Sequence, residues 1–334
     1  MTTLAIVGLG RWGKVLVDSV QGRSDAVRFG AAVARDPAKA AADAEARGLR
    51  LHGALDAVLR DPGIDGIVLA TPHSQHAAQI EACAAAGKPV LVEKPFTLTR
   101  TTAEAALAAA RRAGTLVAAA HNRRFLKPVV DLKHLIAAGD LGTVLHIETN
   151  FSGNTVGRYT REMWRVAPGE SPAGGLAGSG IHHIDTIIHL EGPITEVYAM
   201  STRRVHDVPL DDTTSVLFRL ASGATASLLT MTATVPVYRI QVFGTRGSAE
   251  VRGQAETRGS ETLEIVRLGS GERETRTYEP FDIERAELEA FADAIKSRRS
   301  YPIPLEEVLN GVAAFEAVPR SAETGVPVLL LGEQ

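Results

Sequence analysis

The hydrophobic pattern of the first 120 residues alternates between short apolar runs and longer segments with helical spacing. The apolar runs predict strands at Leu4–Val7, Arg28–Ala34, Gly66–Ala70, Pro89–Val92 and Thr115–Ala119. The segments between them predict helices at Lys14–Val20, Pro37–Ala46, Leu55–Pro62, Gln75–Ala86 and Thr101–Ala113. Such alternation is typical of a doubly wound parallel sheet, and the continuously apolar run GIVLA fits one of its central strands.

The pattern changes after residue 125, where strands become more frequent than helices. One helix is predicted at Pro128–Ala138, another in IHHIDTIIHL, and two more at Glu284–Ser297 and Leu305–Ala322. Alternating segments such as VLHIETNF, TTSVLFRL and YRIQVFG predict strands, and Ala221–Ala224 and Gly244–Ser248 have the composition of hairpin turns. We therefore expect an α/β protein with two domains. Residues 1–122 carry the parallel sheet, and residues 123–334 carry a large, mostly antiparallel open sheet.

Composition and charge narrow the classes of partner. The 334 residues are 45% hydrophobic and have a formal net charge of −3, which offers no basic field for nucleic acid. No segment is apolar for long enough to cross a bilayer, and the chain enters its first strand without the pattern of a signal peptide. We expect a soluble cytoplasmic protein that binds a small molecule. One exposed face of the second sheet could join two copies as a homodimer or homotetramer.

A glycine motif follows the first predicted strand. Gly8, Gly10 and Gly13 form G-x-G-x-x-G and open the first predicted helix, with Leu9, Arg11 and Trp12 between them. In a dinucleotide-binding turn the three glycines permit the tight turn, the approach of the pyrophosphate and close helix–strand packing. The phosphates then lie at the helix N-terminus. The motif therefore predicts a Rossmann domain, with Trp12 either shielding the phosphates or only packing.

The end of the second predicted strand bears on the choice of coenzyme. An acidic residue there would bind the ribose 2′-hydroxyl of NAD, whereas an arginine accommodates the 2′-phosphate of NADP. We place the strand end at Ala34, so that Arg35 follows and can stack on adenine or pair with a phosphate. Asp36 could instead cap the helix that begins with Pro37. NADP is therefore favoured, and NAD stays open.

Two opposite charges end a buried strand in VLVEKP. Glu93 and Lys94 follow an apolar run, and Pro95 restricts the backbone of Lys94. A surface turn would have the same composition. A lysine at the carboxyl edge of a parallel sheet would instead lie where such sheets bind ligands. There it could stabilise negative charge on a reacting oxygen, and Glu93 could steady the ammonium group.

Several motifs along the chain resemble those of the Gfo/Idh/MocA family, named after glucose–fructose oxidoreductase and inositol dehydrogenase. The resemblance lies in Thr71-Pro72, His76, Gly87-Lys88 and above all Glu93-Lys94-Pro95, and continues through HNRRF, Trp164-Arg165, GGLAGSGIHHID and GTRGSAEV. It implies a Rossmann domain, a second α/β domain and hydride transfer between nicotinamide and a sugar, cyclitol or related alcohol. It also implies a Lys94–Pro95 bond that is often cis.

The same resemblance assigns roles to individual residues. Lys94 and His182 would be catalytic, and Asp185 matches the acid one helical turn after the family's histidine. The glycine motif and the end of the second strand, taken by themselves, place coenzyme contacts at Gly8, Leu9, Gly10, Arg11, Trp12, Gly13 and Arg35. Further coenzyme contacts are expected at Thr71, Pro72, His76, Glu93, Lys94, Asn122, Trp164 and Arg165. A surface position for His76, a hinge role for HNRRF and a purely structural role for Asp185 remain open.

The chain departs from the family pattern at Gly178. Many dehydrogenases of the family carry an aspartate there, four residues before the histidine. His182 must then be oriented without that aspartate. His182, Asp185 and His189 also have the spacing of metal ligands, but the family needs no metal and we expect none. His183 and His189 fit packing or surface positions better.

Three functions are compatible with these residues. The first is an NAD(P)-dependent dehydrogenase in which Lys94 and His182 act on the substrate oxygen. The second is an NAD-dependent glycosidase that recycles its coenzyme internally. The third is a regulator that binds a dinucleotide without catalysis. A regulator has no use for both Lys94 and His182, so their joint presence favours an enzyme.

Overall fold

The computed structural model describes residues 1–253 and 260–330, which form two compact units. The first unit contains Met1–Asn122 and Asp282–Leu305. The second contains Arg123–Phe281 and the C-terminal residues from Glu306 onward. The first segment of the first unit ends at Asn122, where the sequence analysis places the domain boundary, and residues 282–305 also belong to this unit. The division into domains at residue 122 stays a prediction.

The first unit is built around a parallel sheet of six strands in the order β3-β2-β1-β4-β5-β6. Its strands are Thr2–Val7 (β1), Val27–Val33 (β2), Arg50–His52 (β3), Gly66–Leu69 (β4), Val90–Glu93 (β5) and Val117–Ala120 (β6). Its first five helices are Arg11–Val20 (α1), Pro37–Glu45 (α2), Leu55–Leu59 (α3), His76–Ala85 (α4) and Arg100–Ala113 (α5). Every residue of β4, β5 and β6 is buried, as expected for strands covered on both faces. The predicted Rossmann sheet is confirmed.

A helix from near the C-terminus completes this unit. Ile283–Ser297 (α8) packs in the first unit. The α-helices in the described part of the second unit are Lys127–Ala137 (α6), Gly180–Glu191 (α7) and Leu305–Thr324 (α9), although Leu305 itself belongs to the first unit. A Cβ added to Gly66 would lie 2.8 Å from the Ile295 side chain and 3.3 Å from Phe291. The apolar face of α8 thus covers the start of β4, which is the physical reason for the discontinuous first unit.

The second unit contains one large sheet in the described part of the chain. Its strands are Val144–Asn154 (β7), Ile194–Thr202 (β8), Thr213–Leu220 (β9), Thr225–Met231 (β10), Ala233–Gly244 (β11), Gly247–Gly253 (β12), Glu261–Arg267 (β13), Arg273–Tyr278 (β14) and Val328–Leu329 (β15). Their order is β14-β13-β12-β11-β7-β10-β9-β8-β15. Only β7 and β10 pair in parallel among these described strands, so the sheet is mostly antiparallel, as predicted.

Most predicted elements are confirmed within three residues of their ends, and both predicted hairpins connect antiparallel neighbours. The second strand ends at Val33, one residue earlier than predicted. Three strands were not predicted: β3, β14 and β15. The first and last are only three and two residues long, and β14 is RETRTY, so none has a clear apolar pattern. No described helix combines the length and the apolar character that a membrane crossing requires.

Candidate active site

The glycine loop of the first unit has the geometry that a dinucleotide needs. Gly8 has a φ of +101°, and a Cβ there would lie 2.4 Å from the carbonyl oxygen of Ala70. A Cβ on Gly13 would lie 2.0 Å from the carbonyl oxygen of Gly8. A Cβ on Gly10 would meet no atom within 4 Å. The backbone at Gly10 therefore faces open space at the N-terminus of α1, where the pyrophosphate of a dinucleotide fits.

Glu93 connects this loop to Lys94. Its side chain is 6% exposed at the end of β5. Its Oε1 accepts a hydrogen bond from the indole Nε1 of Trp12, and its Oε2 lies 3.2 Å from the Lys94 backbone nitrogen, which donates to it. Burial raises the pKa of Glu93, while the charge of Lys94 and the Trp12 bond oppose this increase. The Glu93 carboxylate thus fixes the backbone of Lys94 through a hydrogen bond, in addition to its charge interaction with the Lys94 ammonium group. The Lys94–Pro95 bond is cis, as the family resemblance implies.

Asn122 ends the first segment of this unit, two residues after β6. Its Nδ2 donates to Oε1 of Glu284, at the start of α8, over 3.1 Å. Because a carboxylate only accepts, this bond fixes which end of the Asn122 amide is the oxygen. Oδ1 is buried and has no hydrogen-bond partner among the described residues. Asn122 therefore presents an oriented acceptor, and its predicted contact with the nicotinamide stays a prediction. Glu284 was missed by sequence reasoning, since it lies 162 residues away.

The remaining predicted coenzyme residues of this unit lie at the same edge of the sheet. Arg35 is exposed just beyond β2, and Asp36 caps α2 by accepting from the Lys39 backbone nitrogen over 3.3 Å. Thr71 donates from Oγ1 to Gln79 over 2.6 Å. His76 is fully buried, so the surface alternative for this histidine is wrong.

The second unit contains the predicted catalytic histidine and a buried ion-pair cluster. His182 is 7% exposed in the first turn of α7, and its ring lies 5.8 Å from that of Phe151. Asp185 accepts from Arg124 through both carboxylate oxygens, with distances of 2.6 to 3.1 Å. Arg124 also donates to Glu307 over 2.5 Å. Burial opposes the charge of Arg124, but Asp185 and then Glu307 outweigh it and raise the pKa of the guanidinium.

This pairing favours the structural alternative for Asp185. A buried carboxylate that already accepts from a guanidinium through both oxygens has little capacity left for a substrate. The catalytic role of Asp185 stays a prediction. Arg124 comes from the HNRRF motif and Glu307 from α9, so the cluster joins three distant parts of the sequence.

A second buried cluster surrounds His183. Its ring stacks on Tyr238 with centroids 5.1 Å apart, and Phe151 contacts both rings. The guanidinium of Arg123 lies 5.1 Å from the centroids of Phe151 and Tyr238. Burial raises the pKa of Glu261 to about 7, although the charge of Arg123 opposes this. Sequence reasoning missed Tyr238 and Glu261, because one aromatic and one acid in amphipathic strands give no local signal.

The buried histidines predict acid lability of this protein. Burial and then the charge of Arg123 lower the pKa of His183 to about 3, and burial with Arg124 lowers that of His189 to about 4. Below pH 6.5 the unfolded chain binds protons that the folded state excludes, so the free energy of unfolding falls as the pH decreases towards these values. His183 contributes at most about 1.4 kcal/mol per pH unit in this window.

Urea unfolding at about pH 7 and about pH 5 measures this effect. The His183→Phe variant keeps an aromatic ring next to Phe151 and Tyr238 but removes the titrating imidazole. We expect it to show a smaller difference in unfolding free energy between the two pH values. A difference as large as that of the wild type would show that His183 is not the source.

The last predicted residues lie in and around the glycine-rich segment of the second unit. Trp164 and Arg165 form a short 3₁₀ turn, and the guanidinium lies 4.3 Å from the Trp164 ring. Gly178 is exposed, and a Cβ there would meet only the carbonyl oxygen of Gly175 at 3.8 Å, so an aspartate would fit. Within residues 1–253 and 260–330, no three His, Cys, Asp or Glu side chains are arranged to hold a metal ion.

Both units match models of known protein families. Residues 2–121 match the model of an oxidoreductase family with an NAD-binding Rossmann fold, and residues 129–250 match the GFO/IDH/MocA C-terminal domain. The chain is 28% identical to a D-xylose 1-dehydrogenase (NADP(+)) of Haloferax volcanii over 303 residues, or 90% of this chain and 91% of that protein. It is 27% identical to the trans-1,2-dihydrobenzene-1,2-diol dehydrogenase of Bos taurus over 222 residues, or 66% and 65% of the two chains.

Solved structures show the same fold. The aldose–aldose oxidoreductase of Caulobacter crescentus, solved with glycerol, superimposes with a TM-score of 0.87 at 25% identity. The match covers 98% of this chain and 99% of that chain. The two family models match successive parts of the chain, and the glycine loop is open to a pyrophosphate. The chain therefore belongs to the Gfo/Idh/MocA family of NAD(P)-dependent oxidoreductases.

Proposed function

We propose that this protein is an NADP-preferring dehydrogenase of a sugar, cyclitol or related polyol. The observation that carries the proposal is the fixed backbone of Lys94, held through Glu93 next to the glycine loop. The names of the relatives support the substrate class, since D-xylose, aldoses and a dihydrodiol all present CH–OH groups.

A bound nicotinamide coenzyme would supply the hydride chemistry, and side chains of this protein would bind the substrate oxygen and transfer its proton. Lys94 donates a hydrogen bond to the substrate oxygen and stabilises the negative charge that develops there. His182 takes the hydroxyl proton during oxidation and returns it during reduction. Asn122 provides an acceptor oriented by Glu284, and the loop from Gly8 to Gly13 binds the pyrophosphate.

A panel of polyols, aldoses and uronic acids, each assayed with NADP and NAD, tests the proposal. We expect reduced coenzyme to accumulate with at least one sugar or polyol, as measured by its absorbance. Release of sugar from glycosides without a net change in absorbance would support the glycosidase alternative instead. Tight binding of coenzyme without turnover of any compound would support the regulator.

The Arg35→Ala variant tests the coenzyme preference. Arg35 is exposed just beyond β2, where a guanidinium can pair with the 2′-phosphate of NADP. Loss of a charge-assisted contact of this kind should raise the KM for NADP by about tenfold, with little change for NAD. Arg28, an exposed arginine near the start of β2, is the control, and Arg28→Ala should leave both constants unchanged. Equal increases for both coenzymes would contradict the assignment.

We also propose that two copies associate through the open face of the large sheet. Met200 and Leu217 are 60% and 56% exposed on this face, and Tyr198 lies opposite Leu217 in the strand register. Exposed apolar side chains that are neighbours in a sheet favour an interface. Leu217→Arg should convert a dimer into monomers in light scattering after size exclusion. Leu268→Arg, at a leucine after β13 that is 76% exposed, is the control.

A further inference from the structure

We infer that His76 positions Lys94 by holding the backbone carbonyl of Pro95. The inference rests on the proposed function only in that Lys94 is the group that acts on the substrate. His76 begins α4 and is fully buried. Its Nδ1 lies 2.9 Å from the carbonyl oxygen of Pro95, and its Nε2 lies 3.2 Å from the carbonyl oxygen of Thr71. Both ring nitrogens thus face backbone acceptors.

Hydrogen-bond chemistry identifies which of the two carbonyls, that of Pro95 or that of Thr71, accepts the His76 proton. A carbonyl oxygen only accepts, so a ring nitrogen must carry a proton to bond to it. A neutral imidazole has one N–H and can donate to one of the two carbonyls. The shorter distance assigns that proton to Nδ1, which donates to Pro95. A buried carbonyl that lost this donor would be unsatisfied, which is costly.

Lys94 is consequently held from both sides along the chain. Before it, the Glu93 carboxylate accepts from the Lys94 backbone nitrogen and from Trp12. After it, His76 donates to the carbonyl of Pro95. The same imidazole lies against Thr71, so it connects the turn after β4 with the turn after β5. Small displacements of a catalytic group reduce reaction rates strongly. Glu93, which is itself bonded to Trp12, and His76 restrain the backbone on the two sides of Lys94.

Two conservative variants separate the two contacts. An asparagine places its amide nitrogen near the position of Nδ1, whereas a glutamine places its amide nitrogen near Nε2. His76→Asn should therefore keep the bond to Pro95, and His76→Gln should keep only the contact with Thr71. His76→Ala removes both. His73→Asn is the matched control, because His73 is a buried histidine in the preceding turn, with its ring centroid 6.0 Å from that of His76.

The reactivity of Lys94 provides a readout that needs no substrate. Trace acylation followed by mass spectrometry compares the labelling rate of Lys94 with that of Lys39, whose side chain is 86% exposed. A released turn exposes the amine, so His76→Gln and His76→Ala should raise the relative labelling of Lys94 by about threefold or more. His76→Asn and His73→Asn should stay within about twofold of the wild type.

Kinetics provide the second readout, with the best polyol from the panel. We expect kcat to fall about tenfold or more in His76→Gln and His76→Ala, and His76→Asn to restore most of it. Both ring nitrogens of His76 lie at backbone carbonyls, so this inference replaces the coenzyme contact predicted from the sequence with a positioning role. The Kd for NADP, measured by titration calorimetry without substrate, should therefore change less than about twofold in all of the variants. A general structural defect would lower coenzyme affinity and melting temperature together with kcat.

Several outcomes would overturn the inference. One is that His76→Asn is impaired as severely as His76→Gln. Another is that Lys94 labelling is unchanged in His76→Gln and His76→Ala. If His76→Ala fails to fold, the comparison of His76→Asn with His76→Gln decides. Failure of both of these variants to fold would also overturn the inference. Altered labelling together with an inactive panel would refute the proposed function while leaving the role of His76 intact.

Discussion

Replacing Lys94 by methionine should abolish turnover while leaving coenzyme binding nearly intact. Methionine keeps the length and the apolar stem of lysine but removes the ammonium group that, in the proposed function, stabilises charge on the substrate oxygen. Loss of one such donor costs about 10² to 10³ in kcat, and a full positive charge places the expected loss at the upper end. The Kd for NADP should change by less than about threefold, because the glycine loop supplies the main phosphate contacts.

The assay for this variant is kcat with the best substrate of the panel, together with calorimetric titration of NADP. Lys39→Met, at an exposed lysine on α2, controls for the loss of positive charge. His182→Asn adds a second test, since the proposed action of Lys94 and His182 on one substrate oxygen predicts non-additive effects. The double variant should be little slower than the slower single variant. Activity retained in Lys94→Met would remove this lysine from the mechanism.

Removing Arg124 should produce the largest loss of stability among these variants. The side chains of Arg124 and Asp185 are 6% and 3% exposed, and the guanidinium bonds to both carboxylate oxygens. Arg124→Met leaves Asp185 buried without its counter-charge, which typically costs about 3–5 kcal/mol. Urea unfolding of the variant and the wild type measures the difference in unfolding free energy.

An exposed ion pair in the same chain provides the control. Arg60 pairs with Asp56 over 2.8 Å, with side chains 81% and 69% exposed. Arg60→Met should therefore change the unfolding free energy by less than about 0.5–1 kcal/mol. The double variant Arg124→Met/Asp185→Leu should recover much of the stability lost in Arg124→Met, because no buried charge is left unpaired between them. Losses of similar size in Arg124→Met and Arg60→Met would show that burial does not strengthen this pair.

The same variants determine the role of Asp185. Asp185→Asn keeps the volume of the side chain but weakens its bonds to Arg124. A large loss of stability with proportionate loss of activity would identify a structural acid. A large loss of kcat with unchanged stability would identify a group that acts in the reaction. The contacts of Asp185 with Arg124 lead us to expect the first result.

Local signals predicted the first unit well. Its strands β4, β5 and β6 are buried on both faces, so each reads as a continuous apolar run bounded by polar turns. The glycine positions were predicted because their reasons are local: Gly8 needs a positive φ, and Gly13 lies against the carbonyl of Gly8. The resemblance around Glu93-Lys94-Pro95 added the expected chemistry, which the residues alone left open as a surface turn.

Long-range contacts account for what was missed. The pairing of Arg124 with Asp185 and Glu307 joins residues that lie 61 and 183 positions apart, and no local pattern encodes such a choice. Glu284 lies near the end of the chain, yet it fixes the amide of Asn122 because α8 returns to the first sheet.

By itself the sequence determined the parallel sheet, the dinucleotide loop and the position of Lys94 at the end of a buried strand. These follow from apolar periodicity, glycine conformation and proline restriction, which act over a few neighbouring residues. Only the tertiary structure decided which partner each buried polar group has: Trp12 for Glu93, His76 for Pro95 and Arg124 for Asp185. A buried polar group must be satisfied, but the chain can bring its partner from any distance, so the partner appears only when the fold is complete.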